Sequence, residues 1–177
     1  MKGFKLSKFW YYVISFTWGL PMNLIGVICA ITLGCLGYKP EKNIYGWYFR
    51  IGYDWGGINL GIFSIISKTA LNDTKLHEFG HSIQICIFGP FYLVFVAIPS
   101  LIRYWYREYL WDVKKVYDLP DYDYAWFEGQ ATLFGNRYHN LNSKNTGTNS
   151  YGMHSHTIYF DESVFESTNK EGDDINE

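Results

Sequence analysis

The segment KLHEFGHSIQ, residues 75–84, places two histidines four residues apart, with an acid directly after the first. On a helix, residues four apart stand one above the other on the same face. His77 and His81 can therefore offer two imidazoles to one ion. Glu78 stands beside that face and can reach a water held by the ion without becoming a ligand. Zinc lowers the pKa of such a water toward about 7. A carboxylate placed there takes the water's proton and later passes it to a leaving amine. The order His-Glu-x-x-His is the spacing that this chemistry requires.

Two imidazoles leave a catalytic zinc one ligand short, since such a site takes three protein ligands and keeps one position open. Glu128, in AWFEGQATLFG, is the preferred third ligand. An acid flanked by Trp126, Phe127 and Phe134 is costly to bury unless something pairs with it, and a metal would do so. The competing reading has Glu128 facing water or pairing with Arg137. His154 and His156, in MHSH, are the alternative ligands, sharing one face if the segment is a strand. Tyr124, Tyr138, Arg137 and His139 are candidates to steady an oxyanion.

These residues need elements to hold them. LNDTK, residues 71–75, predicts a helix start capped by Asn72, Asp73 or Thr74, and Gly89–Pro90 predicts its end near Phe88. Gly80 inside that helix costs about 1 kcal/mol relative to alanine, which the close approach of a strand or substrate would explain. Upstream, Ile, Tyr and Phe alternate with Gly over residues 44–66. WGG reads as a turn joining strands at about 46–54 and 58–66, a small β-hairpin. Gly56, Gly57 and Gly61 either satisfy turn geometry or admit a second backbone, such as an extended peptide adding to the sheet edge.

Residues 9–37 carry no formal charge over 29 positions, against the roughly 20 apolar residues that a membrane span needs. The stretch is too long and aromatic for a cleaved signal peptide. Pro21 and Asn23 predict a kink near its middle, and a re-entrant hairpin turning at GLPMN competes with a single span. A buried helix pair is the third reading. Trp10, Tyr11 and Tyr12 suit an interfacial belt, and Lys2, Lys5 and Lys8 predict a cytoplasmic N-terminus. A full span over residues 82–104 would part His81 from Glu128. Residues 90–102 reach only about 20 Å as a helix, so this run is expected to dip in and return, or to pack as a core helix, bending at Gly89, Pro90 or Pro99. RYWYREYLWDVKK, from Arg103, is amphipathic and basic and suits a membrane surface.

The length of 177 residues fits one domain, and charged residues are only 18%, below the usual quarter or so. A net charge of −2 excludes nucleic acid as an expected partner. Residues 141–177 hold two lysines against seven acids, −5, leaving +3 for residues 1–140. That polar acidic tail is expected to be mostly disordered. The three cysteines lie in apolar runs as small fillers.

HEFGH with a downstream Glu-x-x-Ala resembles the zincin metallopeptidases of the gluzincin type. WGLPMNLIG, HEFGHSIQICIFGPFYLVFVAIPSL and WFEGQAT together look like a group of small bacterial membrane proteins bearing a zincin-like signature, a likeness covering about residues 16–135. The resemblance implies His77, His81 and Glu128 as zinc ligands and Glu78 as the catalytic base. The gluzincin pattern often has Asp after the Ala, orienting a ligand histidine; here Thr132 stands there.

The expected fold is α+β: an N-terminal transmembrane helix or helical hairpin, a small β-hairpin, and the HExxH helix with following helices. Residues 1–140 form a membrane-anchored zincin-like domain, and 141–177 the tail. The expected function is a membrane-associated zinc hydrolase acting on a peptide or protein. The alternatives are an inactive zincin-like scaffold and a membrane-surface binding protein.

Overall fold

The computed structural model describes residues 6–139. The tail, with His154 and His156, lies outside the described residues. The architecture is α+β, with five α-helices and a small mixed sheet.

The apolar N-terminal run is broken. Helix α1 spans Lys8–Phe16 and α2 spans Leu20–Cys35, bent by 92°. The bend falls at Thr17–Gly19, and Pro21 sits in the first turn of α2, where its missing N–H costs nothing. Asn23 stabilises the corner. Its Nδ2 donates to the carbonyls of Ser15 (2.8 Å) and Gly19 (3.0 Å). Its Oδ1 accepts from the Ile62 amide (2.9 Å), tying the corner to the sheet. The aromatic belt expected at residues 10–12 is not one surface: Trp10 is exposed, whereas Tyr11 is buried and Tyr12 donates to the Tyr45 carbonyl.

Strands β1 (Glu41–Lys42), β2 (Trp47–Arg50), β3 (Gly57–Leu60) and β4 (Phe63–Ile66) form a sheet of order β1-β2-β4-β3. The hairpin expected around WGG is displaced. It joins β3 to β4 through Gly61–Ile62, and β2 instead pairs in parallel with β4. Gly61, at φ +82°, supplies the left-handed conformation that a two-residue hairpin turn favours. Gly56–Gly57 lie at the start of β3, so WGG belongs to the loop that carries the chain across from β2.

Helix α3 runs Asn72–Phe88. Leu71 is its N-cap and offers no side-chain bond, so the expected polar cap is absent; Asn72 instead accepts from Lys75 Nζ at 2.9 Å. A 3₁₀ turn at Gly89–Phe91 and a π-helical turn at Leu93–Ala97 lead into α4, Ile98–Asp112. The axis reverses by 119° near Tyr92, and Pro99 sits unbent in the first turn of α4. This reversal keeps α3 and α5, Trp126–His139, side by side. No single helix among the described residues is long and apolar enough to cross a membrane.

The core lies between α1, α3 and the sheet, with Tyr11, Ile62, Phe79 and Ile83 packed together. A second cluster joins Met22, Leu60, Ile85, Tyr92, Val96 and Phe127. By contrast α4 buries none of its residues.

Candidate metal centre

The site forms where α3 crosses α5. Their backbones nearly touch: a Cβ on Gly80 would sit 1.8 Å from the Ala131 carbonyl oxygen. The close neighbour that Gly80 needs is therefore a helix, not a strand or substrate. This contact brings Glu128, one turn before Ala131, over the two histidines of α3.

His77 Nε2 lies 3.1 Å from Glu128 Oε2, His81 Nε2 lies 3.3 Å from the same oxygen, and the two Nε2 atoms are 3.1 Å apart. Bonds of about 2.0–2.1 Å to a tetrahedral zinc put neighbouring donors roughly 3.3 Å apart. The three donors thus match one face of a coordination tetrahedron.

Proton placement supports the same reading. Gln84 Nε2 donates to the Phe127 carbonyl (2.7 Å) and to Gln130 Oε1 (3.0 Å), so its Oε1 is the acceptor that faces His81 Nδ1 at 2.7 Å. Thr132 donates its one hydroxyl proton to Asp123 Oδ1 at 3.0 Å, so it accepts from His77 Nδ1 at 2.8 Å. Both imidazoles therefore carry hydrogen on Nδ1, so the Nε2 facing Glu128 is a lone pair when the ring is neutral and a second N–H when it is protonated. With neutral rings the three atoms are all acceptors and could hold one cation between them; without one, a proton on His81 links the imidazoles to the carboxylate.

Glu128 is fully buried. Burial opposes its ionisation, but hydrogen bonds from His77 and His81 outweigh it and hold the carboxyl well below the ordinary range. His81 shows the counterpart: burial disfavours its charge, yet contact with Glu128 raises it to about 9. Glu128 pairs with the histidines and not with Arg137.

Glu78 is 1% exposed, and burial raises its carboxyl above the usual range. Its Oε2 has no hydrogen-bond partner, and neither has Glu128 Oε1. Gly57 of β3 lies against Glu78, where an added Cβ would stand 2.5 Å from Oε1. The backbone that Gly57 admits is its own strand's approach to this acid.

A cavity of about 540 Å³ opens over His77, Glu78 and His81. Tyr92 and Tyr122 line it, whereas Tyr124, Tyr138 and Arg137 do not. Tyr124 is exposed, and Tyr138 bonds the Leu6 backbone. The side chain of His139 lies outside the described ones. Arg103 and Arg107 of α4 stack over the Tyr122 ring at 5.6 and 5.7 Å. They also donate to the carbonyls of Asp121 (3.0 Å) and Pro120 (2.5 Å). The tyrosine is so fixed beside His77, with ring centroids 6.2 Å apart.

Gln84, Asp123, Tyr92 and Tyr122 were not foreseen from sequence. Gln84 left one signal, a lone amide one turn after His81 inside an apolar run. Compared with known protein families, with curated proteins and with solved structures, the chain matches none.

Proposed function

We propose that this chain is a membrane-associated, zinc-dependent hydrolase of the zincin type that cleaves peptide bonds. The observation that carries this reading is the triangle of His77, His81 and Glu128 atoms, with each imidazole Nδ1 held by an outer acceptor so that its Nε2 faces inward, free to bind a metal once deprotonated. His₂Glu is a donor set suited to catalytic zinc. Bound there, zinc would polarise a carbonyl and make water acidic enough to serve as nucleophile at neutral pH.

The chain's own residues supply the rest. Glu78, buried and raised, takes a proton from the attacking water at its free Oε2 and returns it to the leaving nitrogen. Tyr122 and Tyr92 are protonated donors at the cavity wall; burial first, then the charges of Glu128 and Glu78, raise both phenols. They take the oxyanion role that sequence reading gave to Tyr124, Tyr138, Arg137 or His139.

Substrate alignment falls to β3. It is an edge strand, and Ser67 N–H bonds the Gly56 carbonyl at 3.0 Å. Alternation along an antiparallel pair then turns the amide and carbonyl of Gly57 and of Asn59 away from β4. An extended peptide can add to that edge beside Glu78.

Membrane association is supported by exposed apolar side chains on two bent helix pairs, among them Phe9, Ile28 and Ile31 on the first and Val94, Phe95 and Ile102 on the second.

The test is metal content and turnover of purified protein. The wild type is expected to hold one zinc per chain. Glu128→Gln and His81→Ala lose it, while Glu78→Gln keeps the zinc and loses peptide cleavage. Zinc retained equally by Glu128→Gln and His81→Ala would remove the basis of the reading.

A further inference from the structure

Resting on that reading, we infer the substrate class: the site accepts an internal stretch of polypeptide whose side chain next to the cleaved bond is large, apolar and uncharged. Three observations carry this.

First, the cavity wall is almost entirely hydrocarbon and aromatic. Among its lining residues the ionisable groups other than tyrosines are His77, Glu78 and His81, all committed to the metal centre. Among the described residues no lysine or arginine lines it, so apart from the metal no group there would neutralise a substrate's terminal carboxylate or an acidic side chain. Among the described residues no acid other than Glu78 lines it, so a terminal ammonium or a lysine side chain finds no partner among them. A charge entering an apolar wall unpaired is strongly disfavoured, so the site selects against chain ends and charged side chains alike.

Second, the volume of about 540 Å³ exceeds what the peptide backbone alone fills. Room is left for a leucine-sized or aromatic side chain.

Third, the rim is as apolar as the interior. Ile25 of α2, Ile58 of β3, and Leu93, Ile98, Leu101 and Trp105 on the arm after α3 line the cavity, and all are exposed by 43% or more. Monomeric proteins rarely gather so many exposed apolar side chains around one opening without a ligand for them. The same arm also exposes Val94, Phe95 and Ile102, which lie outside the cavity lining. The free backbone edge at Gly57 and Asn59 receives the main chain, and the cavity receives the side chain.

The experiment uses the full-length zinc-loaded protein and N-acetylated amino-acid hydroxamates, whose hydroxamate anchors on the metal whether or not turnover occurs. Binding is measured by calorimetry, alongside zinc content. The leucine and phenylalanine compounds are expected to bind at least tenfold tighter than the aspartate and lysine compounds. Leucine hydroxamate with a free amine is expected to bind no tighter than its acetylated form. Leu101→Arg, at an exposed helical position (51%), is expected to retain zinc and to bring the aspartate compound level with leucine or beyond it. Zinc retained with all four side chains binding within twofold overturns the inference and leaves the metal centre standing. Zinc not retained by the wild type overturns the metal centre and this inference with it.

Discussion

At the residue scale, the candidate ligands His77 and His81 are each held by an outer partner, Thr132 and Gln84. The gluzincin-type pattern puts a carboxylate directly after the alanine, but here the carboxylate is Asp123 and acts through the Thr132 hydroxyl. Outer partners of this kind are worth about ten- to a hundredfold in metal affinity. Asp123→Asn is therefore expected to weaken zinc binding within that range, and Thr132→Asp added to it to restore most of the loss. Competition with a chelating dye measures both, and no rescue would show that Asp123 does not act through this path. Protonation gives a second test. In chelator-treated protein, the stability that His81 draws from Glu128 is complete below its ordinary value of 6.5 and is lost as pH rises through about 9. Glu78, raised by burial, works in the same direction. The melting temperature of the metal-free form is expected to fall across that window while the zinc-loaded form stays level; parallel curves would contradict it. The meeting of His77, His81 and Glu128 was legible because spacing on a helix and an acid among aromatics are local signals. Asp123 was not, because its role exists only once the turn before α5 meets the helix behind it.

At the element scale, two corners define the molecule. Trp18 at the first lies against Gly89 at the second and donates from Nε1 to the Ile87 carbonyl at 3.2 Å. Asn23 holds the first corner through three hydrogen bonds in a buried setting. Asn23→Leu would suit the apolar run by composition, yet it leaves a buried amide and two carbonyls without that partner. Each such group costs about 1–3 kcal/mol. The variant is expected to lose at least about 2 kcal/mol in chemical unfolding, and a neutral result would mean that water replaces the amide. Element types were readable from composition, and Gly89–Pro90 marked the end of α3. Strand pairing was not: WGG and Gly61 are both turn signals, and only the crossover from β2 decides which one closes the hairpin. The reversal after α3 followed from a geometric demand, that His81 and Glu128 share one side, and not from any propensity.

At the scale of the whole molecule, α1, α2 and α4 carry exposed apolar side chains, among them Phe9, Ile28, Ile31 and Ile102, that lie outside the two core clusters. Replacing both Ile28 and Ile31, exposed at 65% and 63%, by lysine is expected to reduce co-flotation with phospholipid vesicles severalfold. Zinc content should be unchanged, and undiminished flotation would move the contact elsewhere. Overall hydropathy could not reveal this surface, because a composition does not say which oily residues are used inside. The outer wall of the cavity has one more consequence. Although α4 buries none of its own residues, it covers the buried Tyr122 through Arg103 and Arg107, which also hold the segment before that ring. The outer wall of the cavity is therefore fastened by two arginines acting on one ring and two carbonyls, whereas its inner wall is fastened by the backbone contact of Gly80 with Ala131, two attachments that can be weakened independently.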